Sequence, residues 1–238
     1  MSDIFTRLIH LFAFPKSPQP YWWQNYIKRI SKLDKNTPIE DINFIVFDTE
    51  TTGLNPATDS LLSLGAVRVV RSKIETQNTF ELHFNDPKKN SSKQSITIHG
   101  LLNNSGDTAI ETGVIQFLDF IGNAVLVGHH VAFDVAFINQ TLKKLTGKTL
   151  QNKTIDTAQL YQRVEILDGA YYHGAPHKSL DELCTLNHID MHDRHTAAGD
   201  ALLTSILFLK LIAKLKNQNI STLGDLINHK LRFTNYGL

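Results

Sequence analysis

Residues 43–48, reading Asn-Phe-Ile-Val-Phe-Asp, are apolar on both sides of the backbone until the last position. That is the pattern of a strand covered on both faces. Runs over 61–70 and 79–84 also read as strands, and Arg71, Ser72 and Lys73 between them predict a tight antiparallel connection. Helical spacing follows over 108–121, stopped by Gly122, and over 131–145, closed by Gly147. Short buried strands are predicted at 125–128 and 154–157, and further helices near 158–164, 179–186 and 196–215. Three strands come first and strands alternate with helices afterwards. The pattern predicts an α/β fold whose mixed sheet has three antiparallel strands followed by parallel ones, with helices on both faces.

The chain before residue 41 has a different character. Ile4, Phe5, Leu8, Ile9 and Phe12 recur at helical spacing until Pro15, and Pro18 and Pro20 extend the break. A second stripe runs through Trp22, Tyr26, Ile27, Ile30 and Leu33. We therefore expect a short helical N-terminal extension over 1–40, a main domain over 41–216 and a tail over 217–238 that adds a last turn or short helix. The two N-terminal helices are expected to pack on the main domain. A docking role for a protein partner is the sharper alternative, and the basic face is too thin for attachment to a membrane surface. Deletion through Lys35 is expected to leave the activity of the main domain largely intact.

At 238 residues with a formal charge of +1, the chain has the size of one ordinary domain plus an appendage and no global basic footprint. Its single cysteine, Cys184, excludes an intramolecular disulfide framework and suits a reducing compartment. No run reaches the length of a membrane span. The first segment carries Asp3, Arg7 and His10 and lacks a small-residue cleavage site, so the expected location is the cytoplasm. His188, His192 and His195 near Cys184 match no standard closed zinc spacing.

The candidate chemistry lies in five residues at the ends or edges of apolar segments: Asp48, Glu50, Asp134, His195 and Asp200. Asp48 and Glu50 are i and i+2 on a strand and project to the same side. Taken alone, that pair reads better as a solvated strand end before a turn, and the intact string DTETTG after an apolar strand reverses that reading. Asp134 lies in the first turn of its helix, where the dipole favours a carboxylate, yet it shares a face with Val131, Val135 and Ile138; an ordinary helix-start aspartate remains an alternative. His195 and Asp200 are five apart, about 140° around a helix. Thr196 as N-cap would leave His195 in the preceding loop and Asp200 inside the helix. A capping histidine with a helical aspartate is the other reading of that spacing. Four carboxylates in one pocket would repel, by on the order of 4 kcal/mol per pair at about 4 Å and an effective dielectric near 20. Divalent cations remove that penalty.

FIVFDTETTG, HVAFDVAF and HTAAGD, in this order, resemble the DEDDh 3′–5′ exonucleases, and within them most strongly the epsilon proofreading subunits of bacterial DNA polymerase III. The resemblance runs over 42–215 and includes SLGAV around Gly65, IHG at 98–100, IDT at 155–157 and SLDELC. It implies a ribonuclease H-like fold and release of nucleoside monophosphates from a nucleic-acid 3′ end. It also implies Asp48, Glu50, Asp134 and Asp200 as ligands of two Mg²⁺ or Mn²⁺ ions, with His195 as general base. In such a site the paired ions clamp attacking and leaving oxygens and acidify the attacking water. Thr51, Thr52, Gly53 and His99 are implied as substrate contacts, and Asp156 as a residue behind the site.

Two positions depart from the family pattern. His130 stands where Asn is usual, and Ser63 where an acidic residue is common two positions before the glycine of the second strand. The reading favoured here is an exonuclease acting on DNA, with single strands preferred over RNA, in proofreading or repair. A nuclease trimming short or structured RNA is the alternative, since no residue visibly reads the 2′-OH. A catalytically silent nucleic-acid-binding module is the alternative of another class, whose expected sign would be a missing ligand or base. An alkaline-leaning pH optimum is expected, because a base must be neutral to take a proton.

Overall fold

The central strand, β1 (Phe44–Thr51), carries alternate side chains into two separate hydrophobic clusters. This computed structural model describes residues 18–85, 108–169 and 178–227. The predicted helix over 4–12 and His99 lie outside the described residues. The strands are β1, β2 (Leu61–Val70), β3 (Lys73–His83), β4 (Val125–Gly128) and β5 (Thr154–Asp156), in the sheet order β3-β2-β1-β4-β5. β1 pairs antiparallel with β2 and β2 with β3, while β4 is parallel to both β1 and β5. This is the predicted mixed α/β sheet.

On one face, Phe44 and Val46 of β1 pack with Val67, Val69, Val125 and Val127. That face is covered by α4 (Thr157–Leu167), α5 (Leu180–Leu186), α6 (Ala197–Asn217) and the short α7 (Leu223–Ile227). Cys184 is buried there as an apolar filler. On the other face, Ile45 and Phe47 pack under α1 (Tyr21–Arg29), α2 (Ile110–Ile121) and α3 (Ala132–Thr146). The carboxyl ends of the three parallel strands, β1, β4 and β5, open on one edge of the sheet. In open α/β sheets that is the crevice where ligands bind.

Two expectations need correction. β3 begins at Lys73 rather than 79. It is an edge strand, and Thr76, Gln77, Asn78 and Thr79 are exposed, so no apolar alternation marks its first half. The register also slips between Val67 and Arg68, whose partners are Thr79 and Glu75, leaving residues 76–78 as a bulge. The Arg71–Ser72 turn itself is the predicted tight one, both residues taking positive φ as a two-residue hairpin turn requires.

The second concerns deletion through Lys35, because α1 packs on the main domain as expected and completes its core. Trp23 and Tyr26 are 4% and 0% exposed in the same cluster as Phe47 and Phe117. The Tyr26 hydroxyl donates to Asn152 Oδ1 at 2.6 Å and accepts from the Gln151 N–H at 2.8 Å. Deleting residues through Lys35 would therefore open a hole in the core. Truncating a buried aromatic costs roughly 3–5 kcal/mol. The shortened chain is expected to melt far below the full chain and to lose activity with it, measured by thermal unfolding. An unchanged melting temperature would contradict this. Among the described residues, no helix is long and apolar enough to cross a membrane.

Candidate active site at the end of the central strand

The last residues of β1 divide between the two sides of the sheet. Asp48 and Glu50 continue the parity of Phe44 and Val46 and so leave toward α6, while Thr49 continues that of Ile45 and Phe47, toward α3. The register with β2 shifts between Glu50 and Thr51, and Thr51 opposite Leu61 is the last pair.

Asp200 comes to meet the first pair. The Thr196 side chain caps α6 by accepting from the Gly199 N–H at 3.0 Å, and it donates to the Asp193 carbonyl at 2.7 Å. Asp200 then lies in the first turn, 7% exposed, where the helix dipole favours a negative charge. Asp48, Glu50 and Asp200 each offer an oxygen, all within 4.8 Å of one another.

Asp134 arrives from the opposite face. Buried in the first turn of α3, its Oδ1 accepts from the Thr49 N–H at 2.9 Å and from the Thr49 hydroxyl at 2.6 Å. The structure thus brings three of the four expected ligands together and holds the fourth at the strand end through Thr49. Thr49 was not singled out from the sequence. Its signal was the strand alternation, which puts it between two acids but on the side of the helix that carries the third.

The electrostatics are those of crowded carboxylates. Asp48 is held well above the ordinary range by burial, then by Asp134, Asp200 and Glu50. Glu50 is pushed up to about 7 by burial and then by Asp200. Asp134 is pushed up to about 7 by burial, against the downward pull of the two Thr49 hydrogen bonds. Among the described residues, Arg194 is the cation set against this group. Its guanidinium pairs with Asp200 and, through Nε at 2.6 Å, with Asp181 at the start of α5. Arg194 also escaped the sequence reading, because a basic residue in a polar loop carries no pattern that distinguishes it. The donor set is hard oxygen with excess negative charge, which fits Mg²⁺ or Mn²⁺.

His195 lies just ahead of the Thr196 cap, exposed, with φ +64°. Thr51 donates from its hydroxyl to the Gly53 carbonyl at 2.7 Å, and Thr52 Oγ1 accepts from the Ser60 N–H at 3.0 Å. These contacts shape the loop that leads away from the carboxylates. Asp156 caps α4 through the Ala158 N–H at 2.9 Å and accepts from the His130 N–H at 3.2 Å. His130 has φ +57°, which explains the family's Asn there, since Asn tolerates the left-handed region well and His is also enriched in it. Burial and then His130 lower the His129 pKa to about 4, so its ring is neutral near pH 7, with Nδ1 3.0 Å from Thr157 Oγ1. Ser63, the other departure, is paired opposite Glu50, so serine spares that acid a further carboxylate neighbour.

Gly65 sets the spacing of the site. It pairs with Asp48, and a Cβ there would meet the Ala197 carbonyl carbon and the Ala198 nitrogen, each at 2.3 Å. The first turn of α6 therefore rests directly on the β2 backbone. Gly65→Ala is expected to lift that turn and Asp200 with it. Overpacking costs about 1–3 kcal/mol, and a 1 Å misplacement of reacting groups can cost about 10²-fold in rate. Melting and cleavage rates measured together should both fall. Wild-type values in both would show that α6 accommodates the methyl.

The Exonuclease family (RNase_T) matches residues 45–208. A DNA polymerase III subunit epsilon-like protein of Rhodobacter capsulatus is 32% identical over 196 residues, covering 80% of this chain and 27% of that protein. A PolC-type DNA polymerase III of Caldanaerobacter subterraneus is 33% identical over 185 residues, 77% of this chain and 12% of its own length. E. coli exonuclease I in complex with a dT13 oligonucleotide has the same fold, with a TM-score of 0.59 at 14% identity, over 75% of this chain and 42% of that one. The chain spans about a quarter or less of these two sequence relatives.

Proposed function

This chain belongs to the Exonuclease family, and on that premise we propose that it releases nucleoside monophosphates from the 3′ end of DNA. The observation that carries the proposal is the convergence of Asp48, Glu50 and Asp200 oxygens within 4.8 Å beside Asp134. Relatives named as chains of DNA polymerase III support DNA as the substrate class. Asp48, Glu50, Asp200 and Asp134 would hold two divalent cations, which supply positive charge to the phosphate oxygens and acidify water.

The remaining steps belong to the chain's own side chains. His195, exposed and outside the helix, takes the proton of the attacking water as general base. Thr49 fixes the Asp134 carboxylate so that it cannot rotate away from the strand end. The loop of Thr51, Thr52 and Gly53 receives the terminal nucleotide, and the Thr52 hydroxyl, accepting from Ser60, keeps its own proton to donate. Residues 41–216 form the nuclease domain in this reading, and α1 packs on it through Trp23 and Tyr26.

Matched DNA and RNA oligonucleotides with chromatographic identification of products test the proposal. The expected products are deoxynucleoside 5′-monophosphates, formed faster than their ribonucleotide counterparts. Faster RNA cleavage would assign the site to RNA ends. Binding of both without products would assign it to a silent binding module.

A further inference from the structure

A groove of about 800 Å³ begins beside this site and runs along α3. One wall is a single stripe of that helix, from Val131 through Ala132, Ala136 and Gln140 to Lys143 and Lys144. The other is made by Pro56 and Ala57 of the loop that follows β1, and by Asp156 and Gln159 at the sheet edge. The stripe extends about 20 Å at 1.5 Å per residue. Three properties of the groove point to a phosphodiester backbone.

It opens next to the site, because Pro56 and Ala57 belong to the loop that leaves β1 after Glu50, and Asp156 accepts from the His130 N–H at the start of α3. Its lining combines small side chains, Ala57, Ala132 and Ala136, with the amides of Asn139 and Gln140, and holds no aromatic platform for stacking bases. At its far end Lys143 and Lys144 are exposed, and among the described residues no carboxylate pairs with either. The groove's own carboxylate, Asp156, is already engaged by two N–H donors. A chain with a formal charge of +1 has no general attraction for nucleic acid, so a local pair of unpaired cations is where polyanion contact would concentrate.

We propose that this groove carries the backbone of the substrate strand upstream of its 3′ end, with phosphates meeting Lys143 and Lys144. The inference rests on the exonuclease reading above and adds where the rest of the strand lies. The lysines stand about 15 Å along the helix from Asp134. A stacked strand, rising about 3.4 Å per nucleotide, crosses that distance in about four nucleotides, and a stretched one in fewer. A dinucleotide therefore cannot reach them and a ten-nucleotide strand can.

The test compares a deoxydinucleotide with a deoxy ten-mer in the full chain, in Lys143→Ala/Lys144→Ala and in Lys143→Glu/Lys144→Glu. Both lysines are exposed, so neither double variant disturbs the core. The expected result is unchanged dinucleotide cleavage in all three proteins. For the ten-mer, KM should rise about tenfold or more in the glutamate variant. The dependence of log KM on log salt should become shallower by about 1.4 in the alanine variant, at about 0.7 per phosphate contact on a single strand. Unchanged ten-mer KM and salt dependence, with dinucleotide cleavage intact, would overturn the groove and leave the exonuclease reading standing. Failure of the wild type on both substrates would overturn that reading and the groove with it.

Discussion

Asp48→Asn is expected to abolish strand cleavage and to raise the melting temperature of the metal-free protein. Every carboxylate near Asp48 disfavours its charge, with burial as the larger cause and Asp134, Asp200 and Glu50 adding to it. The amide keeps the shape of the side chain and removes that conflict. At pH 8.5 in EDTA, where more of the charge is forced on, each kcal/mol released should appear as about 2–4 °C for a protein of this size. Catalysis should fall by roughly three orders of magnitude, because a metal site supplies several kcal/mol of transition-state charge stabilisation and about 1.36 kcal/mol is tenfold. Function and stability are thus opposed at one atom group, as at many sites built for a ligand. Asp200→Asn should lose activity without the gain, because it would leave Arg194 with Asp181 alone. A destabilised Asp48→Asn protein would mean that the metal-free carboxylates are not in conflict.

Divalent cations are expected to stabilise the protein more as pH rises. Glu50 and Asp134 are each pushed up to about 7 in the folded chain, whereas unfolded carboxyls titrate near 4. The folded state therefore holds protons that the unfolded state releases. In the metal-free protein the stability from these groups is complete below about pH 4 and is lost as pH rises through about 7. A cation needs the deprotonated carboxylates, so its binding releases protons and tightens over the same window. Thermal unfolding in EDTA and in Mn²⁺ at pH 5.5, 7 and 8 reads both trends. The metal-induced shift should be small at pH 5.5 and largest at pH 8. A shift that is independent of pH, or largest at pH 5.5, would contradict a site made of these carboxyls.

How much of this was legible in the sequence depended on how local each cause is. The i, i+2 spacing put Asp48 and Glu50 on one side of β1, and Thr196 as N-cap separated His195 in the loop from Asp200 in the helix. Both follow from backbone geometry over a few residues. The place of Asp134 was not legible, because it depends on which face of the sheet α3 covers, and that is decided by packing. Arg194 and the close approach at Gly65 depend in the same way on how the start of α6 meets its neighbours. The stripe of α1 announced a helix, but only tertiary packing shows that Trp23 and Tyr26 complete the core rather than decorate it. The first half of β3 escaped for the opposite reason: an exposed edge strand needs no apolar pattern.

The most direct measurement is a time course on a 5′-labelled single-stranded DNA oligonucleotide in Mg²⁺, Mn²⁺ or EDTA, beside Asp200→Ala. A ladder shortening from the 3′ end, dependent on the cation and absent in the variant, is the predicted result. A ladder that persists in EDTA, or in Asp200→Ala, would contradict a metal-dependent site built on Asp48, Glu50, Asp134 and Asp200.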